Sequence, residues 1–123
     1  MPTMPRVLVL EDEPIIAMMV RDWLTELGCE PVGPAPTIAH ALELINGAAN
    51  LDGAILDLSI GDRDSTPVAD ILREHGVPFA FATGHAVEGL TANYAQALTL
   101  SKPYDFEAFR GVVTKLLNSH GSA

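Results

Sequence analysis

The sequence predicts an α/β fold in which helices cover both faces of one five-stranded parallel sheet. Three observations predict it: short aliphatic runs alternate with longer amphipathic segments, no repeat or low-complexity tract interrupts them, and 123 residues is the length of one domain. Apolar residues make up 48% of the chain, which is enough for a core and argues against a disordered tail. We therefore expect a single domain over residues 1–123.

The first predicted unit is a strand followed by a helix. Arg6–Leu10 is a continuous aliphatic run, typical of a strand buried on both faces, and it ends at the acidic residues 11–13. Pro14 suits the first turn of a helix, which Gly28 closes. Apolar side chains recur at helical spacing between them, at Ile16, Val20, Leu24 and Leu27.

Four further units follow, each with a short apolar run and then a helical segment. The second strand is the weakest because it contains two prolines. The predicted strands are Cys29–Pro34, Gly53–Leu56, Pro78–Ala82 and Ala97–Leu100. The predicted helices are Ile38–Ala48, a segment from Thr66 to Gly76, a poorly formed helix from His85 to Ala95, and a last helix marked by Phe106, Phe109, Val113 and Leu116. Residues 59–65 are predicted as a polar loop.

The charge pattern argues against several classes of function. Seven Lys and Arg against sixteen Asp and Glu give a net charge of −9, and the seven basic residues are scattered along the chain. Nucleic-acid binding needs clustered cations, so we expect none. No apolar run approaches the ~20 residues of a membrane span, and the first apolar run is too short for a signal peptide. With one cysteine and no internal disulfide, these features predict a cytoplasmic protein without a membrane partner.

Polar side chains follow four of the predicted strands. They are Glu11 and Asp12 after the first strand, Asp57 after the third, Thr83 after the fourth and Lys102 after the fifth. In an open parallel sheet the functional crevice lies at these carboxyl ends. Three carboxylates that converge there repel one another unless a cation neutralises them. Oxygen ligands without His or Cys favour Mg²⁺, so the sequence predicts a magnesium site at this edge.

Beside such an ion, Asp57 can act as a carboxylate nucleophile toward phosphorus. Lys102 and the Thr83 hydroxyl are then suitable donors to the phosphoryl oxygens. Each residue alone has an ordinary interpretation: the acidic run as a solvated helix N-terminus, Asp57 as a cap, Thr83 as a turn residue and Lys102 as a surface lysine. Their occurrence together, in this order, favours a phosphoryl-accepting site.

Four short motifs carry a resemblance to a known family: Glu11-Asp12, Asp57 within Ala-Ile-Leu-Asp-Leu, Thr83 in Phe-Ala-Thr-Gly, and Lys102-Pro103. With them the sequence resembles the receiver domains of two-component response regulators over essentially its whole length. The resemblance implies a flavodoxin-like (CheY-like) fold with strand order 2-1-3-4-5, and phosphorylation of Asp57 by a sensor histidine kinase. It also implies that Asp12 and Asp57 ligate Mg²⁺ directly, Glu11 through water, and Ser59 through its backbone carbonyl.

A narrower similarity lies in Phe79–His85, Pro67–Asp70 and Leu100–Tyr104, which resemble the FAT GUY single-domain receivers of alphaproteobacteria. That group tends to partner histidine kinases of the HWE and HisKA2 types. Two positions depart from the pattern, because Thr99 stands where many receivers carry an aromatic switch residue and His85 stands where the group's motif has Tyr. His85 is either a solvated loop residue or a group that tunes the access of water to the phosphoryl group.

The first helix carries more apolar surface than one buried face needs, because Ile15, Met19 and Trp23 lie beside its core stripe. These residues are either the periphery of the core or a docking surface for the helical phosphotransfer domain of a kinase. The resemblance favours docking. It also leaves a histidine phosphotransferase or another regulator as further partners.

The leading hypothesis is a single-domain response regulator without an output domain, which catalyses only its own phosphorylation and dephosphorylation. A Mg²⁺-dependent phosphohydrolase is one alternative, although Ser59 stands where a second acid/base Asp is needed. A flavodoxin-like cofactor binder lacks a phosphate loop after the first strand. A fourth possibility is a receiver that binds partners without phosphorylation. In the leading hypothesis, residues 85–97 are the element that moves when Asp57 gains charge.

Overall fold

The computed structural model describes residues 4–47, 50–84, 94 and 97–121, with side chains described as far as residue 118. Five parallel strands form one sheet, and helices pack on both of its faces. The strands are β1 (Arg6–Leu10), β2 (Glu30–Ala35), β3 (Gly53–Asp57), β4 (Ser59–Ile60), β5 (Arg63–Asp64), β6 (Phe79–Thr83) and β7 (Leu98–Ser101). The described helices are α1 (Pro14–Glu26), α2 (Ile38–Gly47), α3 (Thr66–Glu74) and α4 (Phe106–Gly121).

The strand order of the sheet is β2-β1-β3-β6-β7. Because β4 and β5 form a separate hairpin, this confirms the predicted order 2-1-3-4-5 of the five parallel strands. The register aligns the carboxyl ends of the strands, with Asp57 opposite Ala82 and Thr83 opposite Ser101. The predicted helix His85–Ala95 and the moving segment 85–97 lie outside the described residues, apart from positions 94 and 97.

Alternate side chains of β1 pack into two separate hydrophobic clusters, one on each face of the sheet, as expected for a strand buried on both faces. Val7 and Val9 join the cluster that contains α1 and α4 side chains, whereas Leu8 and Leu10 join the cluster under α2 and α3. This double anchoring holds the end of β1 firmly at the carboxyl edge of the sheet. Among the residues the structure describes, no helix combines the length and apolar character needed to cross a membrane.

The second strand lies at the edge of the sheet, where its prolines are tolerated. It begins at Glu30, one residue later than predicted, and its register against β1 shifts where Gly33 lies. Gly33 has φ +97°, and a Cβ there would approach the Ala35 nitrogen to 2.7 Å, so this irregularity requires glycine. Cys29 precedes the strand as a fully buried core residue.

Residues 59–65, predicted as a polar loop, contain a short antiparallel hairpin of β4 and β5. Its turn is Gly61-Asp62, and Gly61 has φ +64°, as two-residue hairpin turns require. Ile60 is buried in the core under α2 and α3 and fixes the hairpin to the body of the fold. The loop prediction is therefore wrong for these residues, because strands of two residues are too short to show a period-2 pattern.

Candidate functional site

The candidate site lies at the carboxyl edge of the sheet, where β1, β3, β6 and β7 end. One oxygen from each of Glu11, Asp12 and Asp57 lies within 4.8 Å of the others. The β6–β7 ladder extends by one further bond, in which the Lys102 N–H donates to the Thr83 carbonyl oxygen at 2.8 Å. The parallel register therefore brings residues from four distant parts of the chain to one edge.

Lys102 bridges two of the carboxylates. Its Nζ lies 3.0 Å from Asp57 Oδ2 and 3.3 Å from Glu11 Oε1. The side chains of Lys102, Asp57 and Glu11 are only 19%, 8% and 4% exposed, so water screens these pairs weakly. The Lys102–Pro103 peptide bond that follows is cis.

Each of the three carboxylates also accepts one backbone hydrogen bond. Glu11 Oε2 accepts from the Glu13 N–H at 3.1 Å, and Asp57 Oδ1 accepts from the Ser59 N–H at 3.3 Å. Asp12 Oδ2 accepts from the N–H of Gly61, at 3.3 Å. These bonds orient the carboxylates without neutralising their charge.

Three carboxylates and the single ammonium group of Lys102 meet at this edge. Burial, together with the charge of Asp57, raises the pKa of Glu11 to about 7 against the opposing effects of the Glu13 N–H and Lys102. Burial lowers the pKa of Lys102, but the hydrogen bond and charge of Asp57, with Glu11, outweigh it and raise the pKa overall. An all-oxygen donor set with excess negative charge fits a hard divalent cation such as Mg²⁺.

Burial and the charges of Glu11, Lys102 and Asp57 also shift the pKa of Tyr104. Burial, together with the charge of Glu11, raises the pKa of Tyr104 to about 12 against the opposing charge of Lys102. The Tyr104 ring stacks on that of Phe109, with ring centroids 6.2 Å apart. The sequence pattern did not single out Tyr104 as a site neighbour.

The remaining residues that the sequence singled out are Thr83, Thr99, Ser59 and His85. Thr83 ends β6 and is 7% exposed, next in sequence to Ala82, the register partner of Asp57. Thr99 lies in β7 opposite Phe81. Ser59 lies at the base of the hairpin, and the ligand role of its carbonyl stays a prediction. His85 lies outside the described residues.

The three residues predicted on the α1 surface differ in their surroundings. Ile15 is 83% exposed. Half-buried Met19 lines a cavity of about 330 Å³, together with Ile16, Lys102, Pro103 and Tyr104. Trp23 is half-buried, and its ring packs against three others, those of Tyr104, Phe106 and Phe109. The periphery of the core therefore includes Trp23, whereas Ile15 is open to a partner.

The hairpin is the part of the site that sequence patterns missed. The dipeptide Gly61-Asp62 between Ile60 and Arg63 is the signal that could have indicated it, because two-residue hairpin turns favour glycine. Its contact with Asp12 joins residues 49 positions apart, which no local pattern reveals.

No protein-family model matches the chain. A curated relative, the Phyllosphere-induced regulator PhyR of Methylorubrum extorquens, is 28% identical over 120 residues. The match covers 95% of this chain and 45% of PhyR, so the chain spans less than half the length of that relative.

Three solved structures are similar over nearly the whole chain. SdrG from Sphingomonas melonis is 36% identical, with a TM-score of 0.81 and coverage of 95% of this chain and 99% of SdrG. The PhyR response regulator REC domain of Erythrobacter litoralis is 26% identical, with a TM-score of 0.85 and coverage of 98% and 95%. The response regulator TrrA of Thermotoga maritima, in complex with Mg²⁺-BeF, is 26% identical, with a TM-score of 0.79 and coverage of 93% and 100%.

Proposed function

The chain belongs to the receiver domain family of response regulators, and we propose that Asp57 accepts a phosphoryl group from a histidine kinase in a Mg²⁺-dependent reaction. One observation carries this proposal. The Lys102 ammonium lies 3.0 Å from the Asp57 carboxylate at an edge where two further carboxylates converge. This arrangement provides a nucleophile, a cation for the incoming oxygens and a set of metal ligands.

The residues present fit Mg²⁺. Asp12 and Asp57 would hold the ion directly, Glu11 through water, and the backbone carbonyl of Ser59 would add a ligand. When bound, the ion neutralises charge on the carboxylates and on the phosphoryl oxygens. The complex of the similar response regulator TrrA with Mg²⁺-BeF supports a divalent ion in this fold.

In the transfer step, this chain supplies the nucleophile and the donor supplies the phosphoryl group. A carboxylate oxygen of Asp57 attacks the phosphorus of a phosphohistidine, and the new P–O bond forms as the P–N bond breaks. The imidazole nitrogen leaves with the electron pair of that bond. Lys102, already paired with Asp57, then donates to a phosphoryl oxygen, as does the Thr83 hydroxyl. The gain of about two negative charges is the signal.

The partners follow from the same proposal. We infer a sensor histidine kinase of the HWE or HisKA2 type, with a histidine phosphotransferase or another regulator as a further partner, and a single-domain FAT GUY-type mode of action. Similarity to SdrG and to the PhyR receiver domain supports a partner of the two-component type, whereas the kinase type follows only from the resemblance of the sequence motifs. The exposure of Ile15 and the cavity that Met19 and Lys102 line support docking on the α1 side, where we also place Trp23.

Phosphorylation by a small donor tests the proposal. The purified protein is incubated with acetyl phosphate and Mg²⁺, and its intact mass is measured beside Asp57→Asn. Asp52→Asn is a matched control, because Asp52 lies before β3, at the opposite end of the strand from Asp57. We expect one added phosphoryl group on the wild type and on Asp52→Asn when Mg²⁺ is present, none on either when Mg²⁺ is chelated before the donor is added, and none on Asp57→Asn.

Some receivers accept only from a partner, so a negative result is repeated with kinases of the HWE and HisKA2 types. If the wild type gains no phosphoryl group from either source, the proposal is wrong. A phosphorylation-independent binding module is then the better account.

A further inference from the structure

The hairpin β4–β5 is held at its base and in its middle by the body of the protein. At its base, the Ser65 N–H donates to the Leu58 carbonyl oxygen at 2.9 Å. The Leu58 N–H in turn donates to the Ala82 carbonyl oxygen at 2.9 Å, which continues the sheet. Ile60 is 8% exposed and packs in the core under α2 and α3. The hairpin is therefore a fixed part of the carboxyl edge.

Two backbone N–H groups of this hairpin reach two different candidate metal ligands. The Ser59 N–H at the base donates to Asp57 Oδ1, and the Gly61 N–H at the tip donates to Asp12 Oδ2, each at 3.3 Å. Asp57 ends β3, whereas Asp12 follows β1. The hairpin thus links the ends of two strands through their carboxylates.

The bond from Gly61 matters most for Asp12. Asp12 is exposed, and among the described residues no other hydrogen bond or ion pair holds its carboxylate. An exposed carboxylate without such a bond samples several rotamers, and a metal ion must then restrict it. Hydrogen bonds that orient ligating carboxylates contribute to metal affinity for this reason.

We propose that the hairpin is a positioning element of the metal site, in which the Gly61 N–H holds one oxygen of Asp12 so that the carboxylate is oriented for Mg²⁺. This inference rests on the proposed function, because it assumes that Asp12 is a magnesium ligand. It assigns a role to a residue that contacts neither the ion nor the phosphoryl group. Gly61 is therefore a positioning residue.

The conformation of Gly61 offers a selective way to break this bond. Its φ of +64° is readily adopted by glycine, less readily by asparagine, and is strongly disfavoured for β-branched residues. A Cβ at Gly61 meets nothing within 4 Å, so a side chain there acts through the backbone rather than through a clash. Gly76 is a matched control, since it has φ +71° and equal space but follows the end of α3.

The experiment compares Mg²⁺ binding by the wild-type chain, Gly61→Val, Gly61→Asn and Gly76→Val. Each is titrated with MgCl₂ while backbone amide shifts are followed by ¹H–¹⁵N NMR, and stability without Mg²⁺ is measured by urea unfolding. We expect Gly61→Val to bind about tenfold more weakly. Gly61→Asn should bind more tightly than Gly61→Val, and Gly76→Val should bind like the wild type although it should lose about as much stability as Gly61→Val.

Each outcome decides a separate question. Wild-type affinity in Gly61→Val overturns the positioning role but leaves the proposed function intact. Equal loss of affinity in both Val variants indicates a general effect of instability and also overturns it. A wild type that shows no saturable Mg²⁺ binding overturns the proposed function, and the positioning role with it.

A measurement on the wild type alone covers the case in which Gly61→Val does not fold. If the hairpin and the ion support each other, hydrogen exchange at the Gly61 amide slows when Mg²⁺ is added. Unchanged or faster exchange at saturating Mg²⁺ contradicts the proposal.

Discussion

The two ends of the sheet each place a basic side chain beside carboxylates, with different consequences. At the carboxyl end, Lys102 Nζ lies 3.0 Å from Asp57 and 3.3 Å from Glu11, and all three side chains are at most 19% exposed. At the amino end, Arg6 Nε lies 2.7 Å from Glu30 Oε2, but those side chains are 34% and 52% exposed. The shorter ion pair is the more solvated one.

This difference shows that burial, rather than distance, decides how strongly water screens each group of charges. Water screens the charges of Arg6 and Glu30, so their attraction contributes little to the stability of the fold. Neither charge needs a further partner, because both are solvated. At the other end, burial raises the pKa of Glu11 to about 7, and Lys102 is shared between two carboxylates. In the proposed function, a divalent cation would offset the remaining negative charge of the three carboxylates.

Substitution of Lys102 should give the largest difference between the two ends of the sheet, measured as the rate of phosphorylation. Lys102→Ala removes the cation that receives the phosphoryl oxygens, and we expect phosphorylation by acetyl phosphate to slow by about a hundredfold or more. Arg6→Ala should react at the wild-type rate. Time courses of intact mass measure both rates. Equal rates for the two variants would show that the buried pair has no part in the reaction.

Mg²⁺ should stabilise the protein through the carboxyl end only. At 100 times its Kd, the ion should raise the free energy of unfolding by about 2.7 kcal/mol. Asp12→Ala should lose most of this gain, whereas Glu30→Ala, at the other end of the sheet, should keep it. Urea unfolding with and without MgCl₂ measures the gain. A similar gain in Asp12→Ala would mean that the ion binds elsewhere.

Substitution of the exposed Ile15, at the start of α1, tests whether a kinase docks at the carboxyl end of the sheet. Ile15→Ala should slow phosphotransfer from a kinase several-fold, since an exposed apolar anchor contributes more than about 1 kcal/mol to docking. Phosphorylation by acetyl phosphate should not change. Met4→Ala is the control, because Met4 is 49% exposed and lies just before β1, at the amino end of the sheet. Equal transfer rates for both variants would remove Ile15 from the docking surface.

The surface ion pair should give the smallest effect. Glu30→Gln removes one charge of the exposed pair, and we expect the free energy of unfolding to fall by less than about 1 kcal/mol. The loss should shrink further at high salt, where exposed charges are screened. Urea unfolding at low and high ionic strength checks both statements. A loss of several kcal/mol would contradict the contrast between the two ends.

The sheet could be predicted well from the sequence because its central strands are buried on both faces. β1 has the predicted bounds, and β3 extends one residue past the predicted Gly53–Leu56 to include Asp57. Such strands read as continuous aliphatic runs, and the polar residue that ends each run marks the functional edge. The clustering of Glu11, Asp12 and Asp57 follows from that register.

Other features depend on contacts that no local pattern contains. The bond between Gly61 and Asp12 requires the hairpin to fold back across the sheet edge. The spacing of apolar residues on α1 could not separate Trp23 from Ile15, because the aromatic residues that cover Trp23 come from the loop after β7 and from α4. The roles of Thr83 and of the Ser59 carbonyl stay predictions.

Localisation of the phosphoryl group tests the central claim most directly. The protein is treated with acetyl phosphate and Mg²⁺, then reduced with borohydride, which converts an aspartyl phosphate to homoserine, and its peptides are sequenced by mass spectrometry. The account predicts homoserine at position 57 in the wild type and none in Lys102→Ala after the same short incubation. Homoserine at another aspartate, with Asp57 unmodified, would contradict it.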